Sequence, residues 1–480
     1  MKPFFTTNFG DVPRLEGLYV IERLPPATIS GVFLGDVAMV GETVRGPVGT
    51  AVRISSEQEF TDVFGSRDLG AGGALVNKVW LSLVNKKFGN VQVIRVASDD
   101  GYASTATKDG YLKVDASSQG VWGNSVTYQV EDATDSNVNH FDLVITDYNG
   151  HVFTYRNLDI HATGVDNLAQ SVGTDNSNPV VLTKLSNGRP TTMVSALSLA
   201  GGTSPSTDDA DYLAGLAVGA VAENCGVVLV CNQMSAAIKA EIATLAPTVS
   251  DRVFLMSADN AAVSAASAIT EVASYRSDRI IYCFNHPNTL DPTTALKVST
   301  NPCDWMASIL SQTDIDIHPG EQDTKALTAG ITDLAFPAFV RGDYINFKAA
   351  GICALEKDNG VDFVSGVTTS LTPGIEEITR RRMTDYLQLS MADFLNNFVK
   401  KKDTAERRAA IVGAIDNFLG DLQKANRVVD QFQVDGEKLN TVTQRAQGIE
   451  QIYVAVKLIN HMLELVLQTV IGTSVVIQSQ

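Results

Sequence analysis

Val32-Phe33-Leu34-Gly35-Asp36-Val37-Ala38-Met39-Val40-Gly41 is a short, nearly continuous apolar run. Such a run fits a strand buried on both faces rather than one that alternates between core and water. Gly46-Pro47 is a turn signal that stops it. Ser55 or Ser56 can then cap a helix, with Glu57 and Glu59 in the first turn, where acids complement the helix dipole. Phe60 and Val63 fall on one face of that helix, and Gly65 suits its end. Residues 74–88 read as a second helix, with Leu75, Val79, Leu83 and Val84 at helical spacing. Asn90 leads into Val91-Gln92-Val93-Ile94-Arg95-Val96, a second buried strand. The pattern is the β-α-α-β start of an α/β layer, and on pattern alone it fits any α/β domain.

A chain of 480 residues exceeds one hydrophobic core and predicts several domains. The net charge of −17 argues against a general nucleic-acid binder, which carries a basic face. That charge is uneven. From Thr379 onward there are 13 Lys and Arg against 11 Asp and Glu, or +2; the first 378 residues carry 24 against 43, or −19. An acidic body and a slightly basic C-terminal segment point to different surroundings for the two parts. The five cysteines, Cys225, Cys231, Cys283, Cys303 and Cys353, stand at no metal-ligand spacing and read as buried reduced thiols. No apolar run reads as a bilayer span, and the first residues do not read as a signal peptide, so neither is expected.

Along the chain the character changes several times. Residues 1–20 lack helical periodicity and read as an extended arm, and residues 21–100 hold the α/β segment. Residues 101–200 are rich in Asp, Asn, Ser, Thr and Gly, with short alternating runs such as Val126–Val130 and Phe141–Ile145. Asn149-Gly150 between two of these runs is a hairpin signal. The segment reads as an inserted antiparallel β domain, with Gly201-Gly202-Thr203-Ser204-Pro205 as its way out. Residues 201–370 return to helices alternating with strands at 226–231, 253–256 and 279–284, the signature of a parallel sheet with covered faces. Helices are expected at Asp208–Ala222, Ala236–Ala246 and Ala261–Ser274.

Residues 371–469 read as an α+β C-terminal domain. Ile378–Lys400 is expected as an amphipathic helix, and Asp403-Thr404-Ala405-Glu406 as the capping-box-like start of another. Strands follow at 428–434, at 452–458, and as a third at Leu463, Leu465 and Leu467. Residues 470–480, with Val475-Val476-Ile477, read as a C-terminal arm.

Four pieces in the first hundred residues carry a family resemblance by their order. Gly17-Leu18-Tyr19-Val20 precedes Glu22, Val40-Gly41 precedes Thr43 and Arg45-Gly46-Pro47, Ile54-Ser55 leads to Glu59-Phe60 and Phe64-Gly65, and Val91–Val96 follows. This order resembles the sheath proteins of contractile bacteriophage tails and related contractile injection systems. Gly120-Val121-Trp122-Gly123-Asn124 matches the family's start of an inserted domain. Trp305–Ser308, Gly351–Asp358 and the Arg381–Leu387 opening of the C-terminal domain extend the resemblance over nearly the whole chain. The family's common P-P-S-G and A-P-A-N segments do not show clearly, which places this chain in a divergent branch.

The resemblance implies a subtilisin-like α/β middle domain and a structural role. Subunits would form hexameric rings stacked helically around an inner tail tube and contract to drive the tube through the host cell envelope. Extended arms would add strands to neighbouring subunits, with Leu18, Tyr19 and Val20 at one end and Val475, Val476 and Ile477 at the other. The implied partners are further copies of the chain, the tail tube protein, and baseplate and tail terminator proteins. No cofactor, metal, nucleic acid or membrane is called for. The location would be the virion tail, assembled in the host cytoplasm. In this family the C-terminal domain lies innermost, so Lys400, Lys401, Lys402, Arg407 and Arg408 are expected to face the tube. The plainer reading of the lysine run is a solvated loop between helices.

Catalytic patterns point nowhere. The chain shows no P-loop, no H-E-x-x-H and no G-x-S-x-G elbow. None of its six histidines stands in a recognisable catalytic context; His286-Pro287 and His318-Pro319 read as turn residues. The acids Asp208, Asp209 and Asp211 read as a helix start, not a metal site. The alternatives are another virion structural protein, from tube, baseplate or capsid, and an α/β hydrolase.

Overall fold

The computed structural model describes residues 4–6, 19–21, 29–32, 34–66, 77–98, 102–161, 168, 178–204, 206–231, 233–292 and 294–463. These fall into two units, residues 33–386 and residues 1–32 with 387–480. In the second of these, strands β1 (Phe4–Thr6) and β2 (Tyr19–Ile21) pair in parallel, Phe4 opposite Tyr19.

The larger unit is built on an eight-stranded sheet. Its strands are β3 (Asp36–Gly41), β4 (Val52–Ile54), β5 (Val91–Arg95) and, after an insertion carrying β6 to β12, β13 (Cys225–Val230), β14 (Val253–Ser257), β15 (Ile280–Phe284), β19 (Ile352–Lys357) and β20 (Val361–Phe363). The spatial order is β20-β19-β15-β14-β13-β3-β5-β4. Six central strands are parallel, and an antiparallel strand closes each edge. The order reverses between β3 and β13, as in doubly wound sheets.

Strand alternation sends side chains to two separate cores. On one face Val37, Met39, Val93 and Leu229 pack with Phe60, Phe64, Val79, Trp80 and the helix Pro302–Gln312. On the other, Ala38, Val40, Val228 and Phe254 pack with the helices Asp209–Gly219, Ala236–Leu245, Ala265–Val272 and Arg341–Ala349. Every residue of β3, β13, β14 and β15 is buried, which explains their unbroken apolar runs.

The insertion forms a β module. It contains β6 (Tyr102–Lys108), β7 (Leu112–Gln119), β8 (Thr127–Asp132), β9 (His140–Thr146), β10 (Val152–Asp159), β11 (Val180–Lys184) and β12 (Leu197–Ser198). These make two antiparallel sheets, β10-β9-β8-β12 and β11-β7-β6, around Trp122, Tyr128, Phe141, Leu143 and Val114. The hairpin expected at Asn149-Gly150 joins β9 to β10, with Gly150 at φ 85°. The Asp147 carboxylate accepts the N–H groups of Asn149 and His151, both at 2.8 Å.

The strands β16 (Pro287–Leu290), β17 (Lys297–Ser299) and β18 (Ile331–Leu334) make a further small sheet in the order β17-β16-β18. Pro287 therefore begins a strand, and the adjoining His286 is buried rather than exposed at a turn. Burial, with Lys239 nearby, pushes its imidazole down to about 4.

In the smaller unit the helix Ala405–Lys424 and strands β21 (Val429–Asp435) and β22 (Tyr453–Leu458) form the C-terminal segment. The two strands pair antiparallel, and among the described residues neither pairs with a third. Leu463 is in no strand; Leu465, Leu467 and the arm 470–480 lie outside the described residues.

Several helices are shorter than their periodicity predicted, each for a local reason. Of the second helix expected over 74–88, residues 74–76 lie outside the described residues; Lys78–Leu83 is helical, the Asn77 side chain caps it, and Asn85, at φ 61°, follows its end. Ser264 caps Ala265–Val272, which trims the helix expected from Ala261. The helix from Ile378 stops at Asn396, and Lys400 has φ 66°. Thr404, not Asp403, caps the next helix, accepting from the Arg407 N–H; Asp403 instead pairs with Arg408 at 2.6 Å. No helix among the described residues is long and apolar enough to cross a membrane.

Candidate functional site

The motif residues that stand far apart in sequence meet at one joint between the eight-stranded sheet and the β module. The loop after β3 is shaped by Thr43, whose hydroxyl donates to the Arg45 carbonyl at 2.7 Å. Gly46 follows at φ 104°, and a Cβ there would sit 2.6 Å from the Phe64 ring. Only glycine allows that backbone and that approach together. The Arg45 N–H donates to the Phe64 carbonyl at 3.2 Å, tying the loop to the end of the helix Glu57–Phe64.

The Arg45 side chain then crosses into the module. Its guanidinium lies 4.8 Å from the Tyr148 ring centre and 5.6 Å from that of Trp122. The two rings meet edge to face at 6.0 Å. Such cation–π contacts are worth about 0.5–2 kcal/mol each, most when desolvated, and Arg45 is only 5% exposed. Burial pulls its guanidinium below the ordinary range, while Tyr148, Asp147 and Asp62 act in the opposite direction. The Asp62 carbonyl accepts one of its N–H groups.

Arg95, at the end of β5, is fully buried and makes a second tie. One guanidinium nitrogen donates to the Gly46 carbonyl and the other to the Gln119 carbonyl, both at 2.8 Å. The Gln119 carbonyl also accepts from the Trp122 indole at 3.1 Å. At the exit of the module, the Asn124 side chain exchanges two hydrogen bonds with Gly202, each 2.8 Å. Arg45-Gly46, Phe64-Gly65, Arg95 and the Gly120–Asn124 turn are thus one cluster. Tyr148 and Gln119 complete it, and no sequence pattern marked either of them.

The Arg381–Leu387 motif also has a packing role. Arg279 donates to both oxygens of the buried Asp385 carboxylate, at 2.9 and 2.8 Å. Arg381 reaches Asp385 at 2.6 Å and Asp278 at 2.8 Å, and Arg382 donates to the Leu310 carbonyl at 2.7 Å. A carboxylate held by two guanidinium groups is a buried charge with its hydrogen bonds met.

The residues expected at assembly surfaces sit elsewhere. Lys400, Lys401 and Lys402 are exposed in the connection between two helices. The Lys401 ammonium lies 5.5 Å from the Phe398 ring centre. Arg407 donates to the Lys402 carbonyl and Arg408 pairs with Asp403, so both arginines turn back onto that connection. Tyr19 and Val20 lie in β2 and are in register with Phe4 and Phe5 of β1. Leu18, Val475, Val476 and Ile477 lie outside the described residues.

Among the described residues no cluster of three or more His, Cys, Asp or Glu could hold a metal ion. The cysteines are all buried and free. The histidine–carboxylate pairs His140–Asp135, at 2.5 Å, and His151–Asp147, at 3.3 Å, both lie in the β module.

No protein-family model and no curated protein sequence matches the chain. Solved structures do. A sheath tail protein from Listeria innocua is 15% identical with a TM-score of 0.65, over 90% of this chain and 96% of that one. A sheath tail protein from Desulfitobacterium hafniense is 14% identical with a TM-score of 0.60, over 92% of this chain and 100% of that one. The contracted helical sheath of the anti-feeding prophage gives 13% identity and a TM-score of 0.58, over 96% and 99%. At such identities the likeness is one of fold, and the fold is that of contractile tail sheath proteins.

Proposed function

We propose that this chain is a structural subunit of a contractile tail sheath. The observation that carries the reading is the end-to-end match to a contracted helical sheath, 96% of this chain against 99% of that one. A likeness confined to the parallel sheet would suit many activities; this one spans the β module and the C-terminal segment as well. On this reading the α/β body is the family's subtilisin-like domain, the β module is its outer insertion, and the chain works as a building element rather than an enzyme.

Subunits would stack as hexameric rings around a tail tube, between baseplate and terminator, in a phage tail or related particle assembled in the host cytoplasm. The lone β21–β22 ribbon supports this reading. Two-stranded sheets are marginal by themselves, and its outer edges are open to strand addition among the described residues. Terminal arms from other copies, through residues 18–20 and 475–477, would fill those edges. Contraction would draw on new contacts between subunits and drive the tube through the host envelope.

Electron microscopy of the purified chain tests the proposal. Striated tubes or stacked six-fold rings are the expected result. A discrete monomer or dimer at every concentration and ionic strength, with or without tube protein, would overturn it.

A further inference from the structure

We propose that Arg45 and Arg95 form a clamp that holds the β module and the eight-stranded sheet as one rigid body. In the chain the module lies between β5, which ends at Arg95, and the helix that begins at Asp209. Its two connectors permit a hinge unless something outside them resists rotation. The resistance comes from side chains that cross the joint.

Arg45 leaves the sheet side and ends against the rings of Trp122 and Tyr148 of the module. Tyr148 reaches back, its hydroxyl donating to the Thr61 carbonyl at 3.4 Å. The Gly46 N–H donates to the Ser118 hydroxyl at 3.0 Å. Arg95 bonds one carbonyl on each side, Gly46 and Gln119. The connectors themselves are tied, the first by Gln119 to the Ser98 carbonyl at 3.1 Å and the second by Asn124 to Gly202.

Shape reinforces these bonds. Val44 is 8% exposed and belongs to the module's core although it sits in the loop after β3. A Cβ on Gly120 would lie 2.6 Å from the Val44 carbonyl oxygen, so the two backbones are in close contact there. Swinging the module would strip Arg45 of both rings and leave the buried Arg95 without its Gln119 acceptor. A planar guanidinium held by two aromatic faces and directed bonds resists rotation more than an apolar contact, which can slide.

This inference does not depend on sheath assembly, and a single chain in solution can test it. The full chain carrying Arg45→Met keeps a side chain of similar length and loses the guanidinium. Light proteinase K digestion is followed by mass spectrometry of the cuts at 97–101 and 199–208. The expected result is at least tenfold faster cleavage at the connectors. Amide exchange should stay slow both in β13 and in β9. Ile242→Ala, a cavity on the far face of the sheet, controls for general loss of stability and should leave the connector cuts near the wild-type rate. If Arg45→Met does not fold, Tyr148→Leu removes one ring and should give an intermediate rise. Connector cleavage at the wild-type rate in the folded variant, or an equal rise in Ile242→Ala, would overturn the clamp.

Discussion

The eight-stranded sheet and the β21–β22 ribbon are both β structure, and they are stabilised in different ways. All six residues of β13 are buried, and the sheet has a hydrophobic core on each face. In the ribbon only Val429 is buried; beyond it β21 alternates half-buried and exposed positions up to Val434, and β22 is half-buried except at the exposed Lys457. The first is complete within one chain. The second has the burial expected of a structure finished by something else. Electrostatics follow the same division. In the body, burial itself pushes the Asp304 carboxyl up to about 6, with Lys86 opposing. In the C-terminal segment, the backbone N–H groups of Glu437 and Lys438 hold the Asp435 carboxyl below its ordinary value.

The largest expected effect is on assembly. Deleting residues 470–480 should leave a soluble, folded protomer that no longer polymerises, read by sedimentation and electron microscopy. Sheaths of normal length from the truncated chain would mean the ribbon does not depend on that arm.

Stability comes next. Leu229→Ala, at a fully buried position in β13, should cost about 3–4 kcal/mol in denaturant unfolding. Val456→Ala in half-buried β22 should cost about 1 kcal/mol or less in the isolated chain, and visibly more in an assembled particle. Equal costs in the isolated chain would remove the distinction between the two sheets.

A pH series separates the two aspartates. The Asp304 carboxyl has a raised pKa, so the native state holds its proton more tightly than the unfolded chain. Its contribution is most favourable below about pH 4 and is lost as the pH rises through about 6. Asp304→Asn should therefore stabilise at pH 8, by on the order of 1–3 kcal/mol, with the gain fading toward pH 4. Asp435 has a depressed pKa, so its contribution is present above the ordinary aspartate range and disappears as the solution is acidified. Asp435→Asn should destabilise slightly at pH 7 and not at all at low pH. Thermal unfolding of both variants checks the opposite slopes, and parallel slopes would contradict the burial difference.

The smallest effect expected is that of surface charge. Reversing Lys400, Lys401 and Arg407 to Glu should leave the protomer folded, because the lysines are exposed and Arg407 bonds only the neighbouring backbone. Tube-templated assembly should slow, most at low salt, where charges are least screened. An unchanged rate at low salt would assign these residues to solvent.

Local patterns carried much of this fold. The runs at 32–40, 226–231 and 279–284 announced buried strands, and the structure has strands at Asp36–Gly41, Cys225–Val230 and Ile280–Phe284, the first starting later than its apolar run. The alternation in Phe141–Ile145 announced an antiparallel strand, and β9 is one, with Phe141, Leu143 and Ile145 in the module's core. Helix ends were harder to read. A cap is a single hydrogen bond, and Asn77 or Ser264 can supply one within a stretch whose apolar spacing continues past it.

Most element types, the acidic body with its slightly basic end, and an order of motifs that resembles sheath proteins were legible in the chain alone. Each of these depends on residues within a turn or two of one another, or on composition. Only the tertiary structure decided that Arg45, Phe64, Arg95 and Trp122 belong to one joint, and that Tyr148 closes it. Sequence spacing does not encode which loop meets which turn across 77 residues, as between Arg45 and Trp122. That meeting follows from the register of β3 against β5 and from the packing of a module whose hydrophobic core includes Val44. The partners of a buried guanidinium are settled by the whole fold, because an unmatched charge at that depth would cost more than any local preference could offset.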